Sequence, residues 1–276
     1  MSLISGELVV VRGAGDLATG CIVRLVRAGF RVAALEVAEP SSIRRTVCLS
    51  EAVYQGQAEV EGVKAVRVGS AEELLAALER CGPAGPVPVL VDPQCAVLPR
   101  LRPLALVDAI IAKRNLGTRI GMADVVVALG PGFEAGVDAD AVVETNRGHD
   151  LGRVLRSGRA EPDTGTPGLI AGVGRERVLH APAAGVVENL KRIADRVQAG
   201  EPVLAIDGPE GRVLVAAAID GMVRGLIRPG FQARAGLKVA DVDPRGRREH
   251  CFTISDKAMA IAGGVLEAVL MLGAGR

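Results

Sequence analysis

ELVVVRGAGDLATGCIVRLVRAGFRVAALEV, residues 7 to 37, is the stretch on which the fold turns. Its first six residues form an apolar run rich in β-branched side chains, which favours a strand when turn residues follow. Gly13-Ala14-Gly15-Asp16-Leu17-Ala18 comes next, and after it Ile22, Leu25 and Val26 fall on one helical stripe that Gly29 stops. RVAALEV, residues 31 to 37, makes the second strand. Strand, glycine turn, helix and strand in this order open a doubly wound α/β sheet.

Working outward, strands are expected at 87–92, 106–112, 124–130 and 141–145, and a helix at 70–82 with Ser70 as cap and Gly82 as stop. Such near-continuous apolar strands belong in a sheet covered on both faces. From 146 to 177 the chain becomes dense in Gly, Pro and charge, the texture of a boundary or a loop system. An internal repeat follows. A gapless offset of 36 aligns residues 185–207 with 221–243, matching Gly185, Val187, Leu190, Arg192, Ala199, Gly200, Val203 and Asp207 to identical partners. Neither copy can bury an apolar face alone, so the two are expected to pack as halves of one small β unit. CFTI, residues 251 to 254, reads as a short strand, and Ser255 caps a last helix whose Gly263-Gly264 pair permits close backbone contact.

At 276 residues the chain buries about three quarters of its extended surface, enough for two cores without disulfides. A formal net charge of +1 and an aromatic content of 2% exclude nucleic acid as a partner class, since neither a steering field nor stacking platforms are present. Cys21, Cys48, Cys81, Cys95 and Cys251 are odd in number and form no C-x-x-C pair, which points to free thiols and a cytoplasmic chain. The N-terminus has no basic region before its apolar run, so no signal peptide is expected. The longest apolar stretch, 258–272, is too short for a membrane span and carries Glu267. His149, His180 and His250 lack metal-ligand spacing, and no metal site is expected. Neither a G-x-S-x-G elbow nor a phosphate-binding P-loop occurs.

The chemistry-bearing motif is G-x-G-x-x-A, with Gly13 for the tight turn, Gly15 for close approach of a pyrophosphate and Ala18 for helix packing. Asp16 opens the helix, whose N-terminal amides face the same way. Glu36, ending the second strand, stands where an acid would bind ribose hydroxyls, while Arg44 and Arg45 could instead receive a 2′-phosphate. That combination describes a Rossmann-like nucleotide site. Asp108, Lys113, Arg114, Asn115 and Thr118 flank the carboxyl end of another strand. Glu144, Thr145, Asn146, Arg147 and His149 follow a third, and Arg147 suits an anion. The repeat has the look of biotinyl and lipoyl carrier domains, yet none of the five lysines lies in its connection Asp207 to Arg212, which argues against a swinging-arm carrier and for a binding or docking module.

VVVRGAGDLATG, EVAEPSSIRRTVCLSEAVYQG, VDAIIAKRNLGT, LGPGFEAG, VETNRGHDLGRV, HAPAAGVVENLKRIADRVQAGEPV, GLKVADVDPRG and TISDKAMAIAGGVLEAVL together resemble the YqeB-type accessory proteins of selenium-dependent molybdenum hydroxylase systems, similar in outline to XdhC-type factors. The resemblance runs through nearly the whole chain; Asp163-Thr164-Gly165 departs from the Asn-Thr-Gly expected there. It implies a maturation factor whose partners are a molybdenum hydroxylase apoenzyme or cofactor-maturation proteins.

The expected architecture is therefore a Rossmann-like parallel sheet domain over 1–172, then a barrel-sandwich-like β domain with a C-terminal helix over 173–276. Its expected ligand is NAD(P) or a molybdopterin-linked nucleotide, held by Gly13, Gly15, Asp16, Ala18, Glu36, Asn115, Asn146 and Arg147. Two alternatives stand beside the maturation factor. One is an NAD(P)-dependent oxidoreductase acting on a small acid, with Lys113 or His149 moving the proton; the other is a nucleotide-free docking scaffold. Whether the chain is an enzyme, and whether it forms a homo-oligomer, stay open at this level.

Overall fold

The computed structural model describes residues 6–274, which divide into two compact units. Unit 1 comprises residues up to Pro40, Cys48–Asp163 and the segment from Ile254 onward; unit 2 comprises Ser41–Val47 and Thr164–Thr253. The chain therefore leaves unit 1 twice. The boundary expected at 172 lies earlier, and the C-terminal helix expected in the second domain belongs to unit 1.

In unit 1 the strands are β1 (Leu8–Arg12), β2 (Arg31–Glu36), β3 (Gln57–Val60), β4 (Val63–Val68), β5 (Val87–Val91), β6 (Ala105–Asp108), β7 (Val125–Leu129), β8 (Glu134–Ala135), β9 (Ala141–Val143), β10 (Val154–Leu155) and β11 (Gly158–Arg159). Its helices are α1 (Asp16–Arg27), α2 (Ala52–Gln55), α3 (Ala71–Cys81), α4 (Leu98–Leu101) and α5 (Asp256–Gly273). Nine strands join in the order β10-β9-β7-β6-β1-β2-β5-β4-β3, and β8 pairs with β11 separately. The seven strands from β9 to β4 run parallel, while β10 and β3 close the two edges antiparallel. β1 and β7 are buried along their whole length, as their Val-rich sequences require.

This mixed sheet corrects the expected Rossmann-like parallel sheet. The departures lie at its edges: β3 pairs with β4 and β10 with β9, both antiparallel, and β5 lies between β2 and β4. The expected strand at 106–112 also stops at Asp108, because Ile111 and Lys113 take positive φ.

Capping follows the sequence. Ser70 Oγ accepts the Glu73 amide at the start of α3, and Ser255 Oγ accepts the Ala258 amide at the start of α5. Of the Gly263-Gly264 pair only the second meets another backbone: a Cβ on Gly264 would lie 2.1 Å from the Gly152 carbonyl oxygen, whereas one on Gly263 meets nothing.

Unit 2 contains β12 (Val178–His180), β13 (Gly185–Asn189), β14 (Arg196–Val197), β15 (Pro202–Gly208), β16 (Gly211–Ala216), β17 (Gly221–Leu226), β18 (Gln232–Ala233) and β19 (Lys238–Asp243). They form two antiparallel four-stranded sheets, β12-β19-β17-β14 and β16-β15-β13-β18. This replaces the expected barrel-sandwich-like domain with its helix. The 36-residue repeat is written into the strands: β13, β14 and β15 begin where β17, β18 and β19 begin, less 36. The copies exchange their short strands, since Arg196 of β14 pairs with Met222 of β17 and Gly185 of β13 pairs with Ala233 of β18. One core results, with Val187, Val203 and Ile206 of the first copy packed among Val223, Val239 and Val242 of the second. Residues 248–251 form a turn of 3-10 helix rather than the start of a strand, with Cys251 buried.

Among the described residues no helix is long and apolar enough to cross a membrane. Among the described residues none of the five cysteines is joined in a disulfide.

Candidate functional site

In an open α/β sheet, ligands bind beyond the carboxyl ends of the strands where the strand order reverses. Here that point lies between β1 and β6, because the chain places β2 to β5 on one side of β1 before crossing to place β6 on the other. The groups at this edge come from the turn after β1, the end of β2, and the loops after β6, β7 and β9.

Gly13, at φ +99°, makes the turn after β1 and donates its amide to the Leu35 carbonyl. A Cβ there would meet Ile110 Cγ2 at 3.2 Å, so the glycine turn and the loop after β6 are in van der Waals contact. Gly15 precedes α1, Asp16 opens its first turn and Ala18 is buried behind it, as a small residue must be. The turn is already occupied by protein groups. Glu36 is buried, with Oε2 accepting the Ala14 amide at 2.8 Å and Oε1 accepting the Val37 amide at 2.8 Å. The Ala14 carbonyl accepts the Ser50 amide and the Thr19 hydroxyl.

These bonds do not fit a dinucleotide. The acid expected to hold ribose hydroxyls and the amide expected to face pyrophosphate hold each other instead. Burial pushes the Glu36 carboxyl above its ordinary value, partly offset by the two amides. Arg44 and Arg45, read as receivers of a 2′-phosphate, belong to unit 2. There Arg44 donates to the carbonyls of His250 and Thr253, and Arg45 donates to that of Leu226.

The loop after β6 carries the cations. Lys113 and Arg114 are exposed; Lys113 Nζ lies 2.7 Å from Asp163 Oδ2. Ile111 and Lys113 sit at φ +53° and +62°, conformations costly for side chains with a Cβ and most of all for a β-branched one. Gly132, in the turn after β7, lies so close to this loop that a Cβ would come 2.5 Å from the Arg114 nitrogen. Asn115 is a structural brace: its side-chain oxygen accepts the Gly117 and Thr118 amides, and its nitrogen donates to the Thr118 carbonyl and to Asp138.

The loop after β9 is held by Glu144, whose Oε1 accepts the amides of Thr145 and Asn146 and whose Oε2 accepts that of Glu161. Asn146 and His149 are exposed, and Arg147 makes a two-pronged pair with Asp256 at 2.8 and 2.9 Å. Arg147 thus reaches the N-terminal turn of α5. The structure brings Gly13, Gly15, Ala18, Glu36 and the loop carrying Lys113 and Asn115 together. Asn146, Arg147 and His149 lie in the loop after β9.

Sequence reading missed Arg12. It ends β1 and is buried, and its guanidinium reaches Asp108 at the end of β6. Its signal was there to read: a charged residue closing an otherwise apolar strand must find a buried partner. Among the described residues no group of three or more His, Cys, Asp and Glu could hold a metal ion.

No family model matches the chain. Over 266 residues it is 49% identical to the uncharacterized protein YqeB of Escherichia coli (strain K12), a match that takes in 96% of this chain. The chain is a homologue of YqeB. It spans 48% of the length of YqeB, so about half of that protein has no counterpart here. Solved structures that resemble the chain include a succinylglutamate desuccinylase/aspartoacylase from Rhodobacter sphaeroides, at 15% identity and a TM-score of 0.28 over 86% of this chain and 84% of that one. Another is the ectoine utilization protein EutE (DoeB) from Ruegeria pomeroyi, at 13% identity and a TM-score of 0.28 over 86% and 85%.

The expected fold class is corrected by the sheets themselves, a mixed nine-stranded sheet in unit 1 and two antiparallel four-stranded sheets in unit 2. The expected role in molybdenum hydroxylase maturation is corrected too, since the YqeB name carries no molybdenum or selenium role. At TM-scores of 0.28 neither fold class nor substrate is taken from the solved structures.

Proposed function

We propose that unit 1 binds a small carboxylate- or phosphate-bearing molecule at the β1/β6 switch point, through Lys113 and Arg114. One observation carries this reading: the loop presenting both cations holds two non-glycine residues, Ile111 and Lys113, in left-handed conformations at the sheet edge where α/β folds take ligands. Each such residue costs of order 1–3 kcal/mol, and a solvated connection of this length has cheaper conformations available. Retained strain of this kind accumulates where geometry has to be held for a ligand.

Chemistry supports an anion. Lys113 offers a point charge and Arg114 a planar fork that matches a carboxylate or phosphate in two parallel hydrogen bonds. Asp163, paired with Lys113, is the group a ligand anion would displace. The self-bonded glycine turn favours a compact molecule over a dinucleotide, because the Ala14 amide is already used.

Calorimetric titration with inorganic phosphate, pyrophosphate, succinate and citrate tests the proposal. At least one of them should bind, and Lys113→Ala with Arg114→Ala should weaken that binding at least tenfold while the melting temperature stays put. Equal affinity in the double variant, or no binding by any of the four, overturns it.

A further inference from the structure

Around the end of β6 and the loop that follows it lies a group of buried polar side chains. Arg12 Nη1 donates to Asp108 Oδ2 at 3.2 Å and to Thr118 Oγ1 at 2.9 Å. Its Nη2 donates to the carbonyls of Pro93 at 2.8 Å and Leu116 at 3.0 Å. Thr118 Oγ1 donates in turn to Asp108 Oδ2 at 2.5 Å, and Asp108 Oδ1 accepts the Ile110 amide at 3.3 Å. Arg12, Asp108 and Thr118 are 5%, 0% and 1% exposed.

Burying an ion pair here is an expensive way to gain stability, since apolar residues of similar volume serve as well or better. What the pair supplies is geometry. One end of the loop is fixed through Asp108 and Ile110, and the other through Leu116 and Thr118. The strained residues Ile111 and Lys113 lie between these two anchors, with Arg114 beside them. A loop tied at one end only would relax to ordinary φ values and lose the fixed placement of its cations.

We infer that Arg12, with Asp108 and Thr118, is a clamp that positions the 109–116 loop and so aims Lys113 and Arg114. Arg12 is then a positioning residue: it does not touch the ligand, and its effect passes through the backbone it holds. The inference rests on the anion-binding reading for its functional meaning, but not for its structural content.

The test uses the whole chain and two readouts, amide hydrogen exchange of residues 109–116 and affinity for pyrophosphate and succinate. Thr118→Val keeps the side-chain shape and removes the hydroxyl, Arg12→Lys keeps the charge and removes the fork, and Thr118→Ser restores the hydroxyl. Thr118→Val and Arg12→Lys should raise exchange in the loop about tenfold and weaken probe binding about tenfold, with both effects reversed in Thr118→Ser. Unchanged loop exchange in Thr118→Val and Arg12→Lys overturns the clamp, and so does a Thr118→Ser variant as impaired as Thr118→Val. Should the wild-type chain bind none of phosphate, pyrophosphate, succinate and citrate, the anion reading falls while the exchange data still decide the clamp.

Discussion

Glu36 Oε2 accepts the backbone amide of Ala14 at 2.8 Å, joining the end of β2 to the glycine turn across 22 residues of chain. The motif that signals a phosphate-binding turn is here closed by its own acid. With its second oxygen on the Val37 amide, Glu36 works as a buried brace for two backbone donors.

That brace gives stability a sign with pH. Burial raises the Glu36 carboxyl above its ordinary value of 4.5, so the native state holds the proton more tightly than the unfolded chain does. Its contribution is full below the ordinary value and declines as pH rises through the raised one. Glu36→Gln removes this titration. Melting temperatures taken from about pH 4 to about pH 7 should show the wild type losing ground to the variant as pH rises; parallel curves would refute the assignment.

The two adjacent glycines of α5 should respond in opposite directions to alanine. Gly264→Ala drives a Cβ against the Gly152 carbonyl and should destabilise by about 1–3 kcal/mol or more. Gly263→Ala meets nothing and gains helix propensity, about 0.5–1 kcal/mol. Urea unfolding midpoints of the two variants decide this, and a loss in both would count against the packing described.

In unit 2, Arg177 Nη1 lies 2.6 Å from Asp241 Oδ1, with both side chains buried. Arg177→Met should cost about 3 kcal/mol by leaving a buried carboxylate short of its partner. Glu72→Ala, which cuts the exposed Arg100–Glu72 pair, should leave the melting temperature unchanged. Comparable losses from the two variants would mean the buried pair is not acting as one. Nearby, burial works against the charged form of Asp243, but Arg245 and Arg224 hold its carboxyl below the ordinary 3.8. Its share of stability is therefore present above that value and disappears as pH falls.

Thiol chemistry should separate the cysteines. Burial pushes Cys21 up to about 12 and Cys95 up to about 11, and both are shielded from solvent. Cys81 is the half-exposed one of the five. Iodoacetamide at about pH 8 should label Cys81 first in the native chain and all five after denaturation, as read by peptide mass spectrometry. Rapid native labelling of Cys21 would contradict its burial.

Much of unit 1 was legible because its signals are local. ELVVVR, the glycine turn and RVAALEV gave strand, helix and strand within a residue or so, and Ser70 and Ser255 cap the helices they were read to cap. The 36-residue repeat was legible for a similar reason, as equal spacing needs no knowledge of pairing. What stayed hidden depends on distant partners. Nothing near QAEVEGVKAVRV says that β4 of this hairpin will lie outside β5. Glu36 reads as a ribose ligand until the Ala14 amide is seen in its grasp, and the buried role of Arg12 requires Asp108 and Thr118, 96 and 106 residues away. Nor does the sequence show that Ser41–Val47 leaves unit 1 to join the other unit.

The exchange of short strands in unit 2 bears on how that unit can assemble. β13 needs β18 and β17 needs β14, so each copy supplies a rung that the other lacks. A single copy has no complete sheet to nucleate, and both long-range closures must form before either is rewarded. Folding of this unit is accordingly one concerted event over the whole repeat. A nick in the tip between Gly208 and Gly211, where β15 turns into β16, should leave two fragments that refold only together.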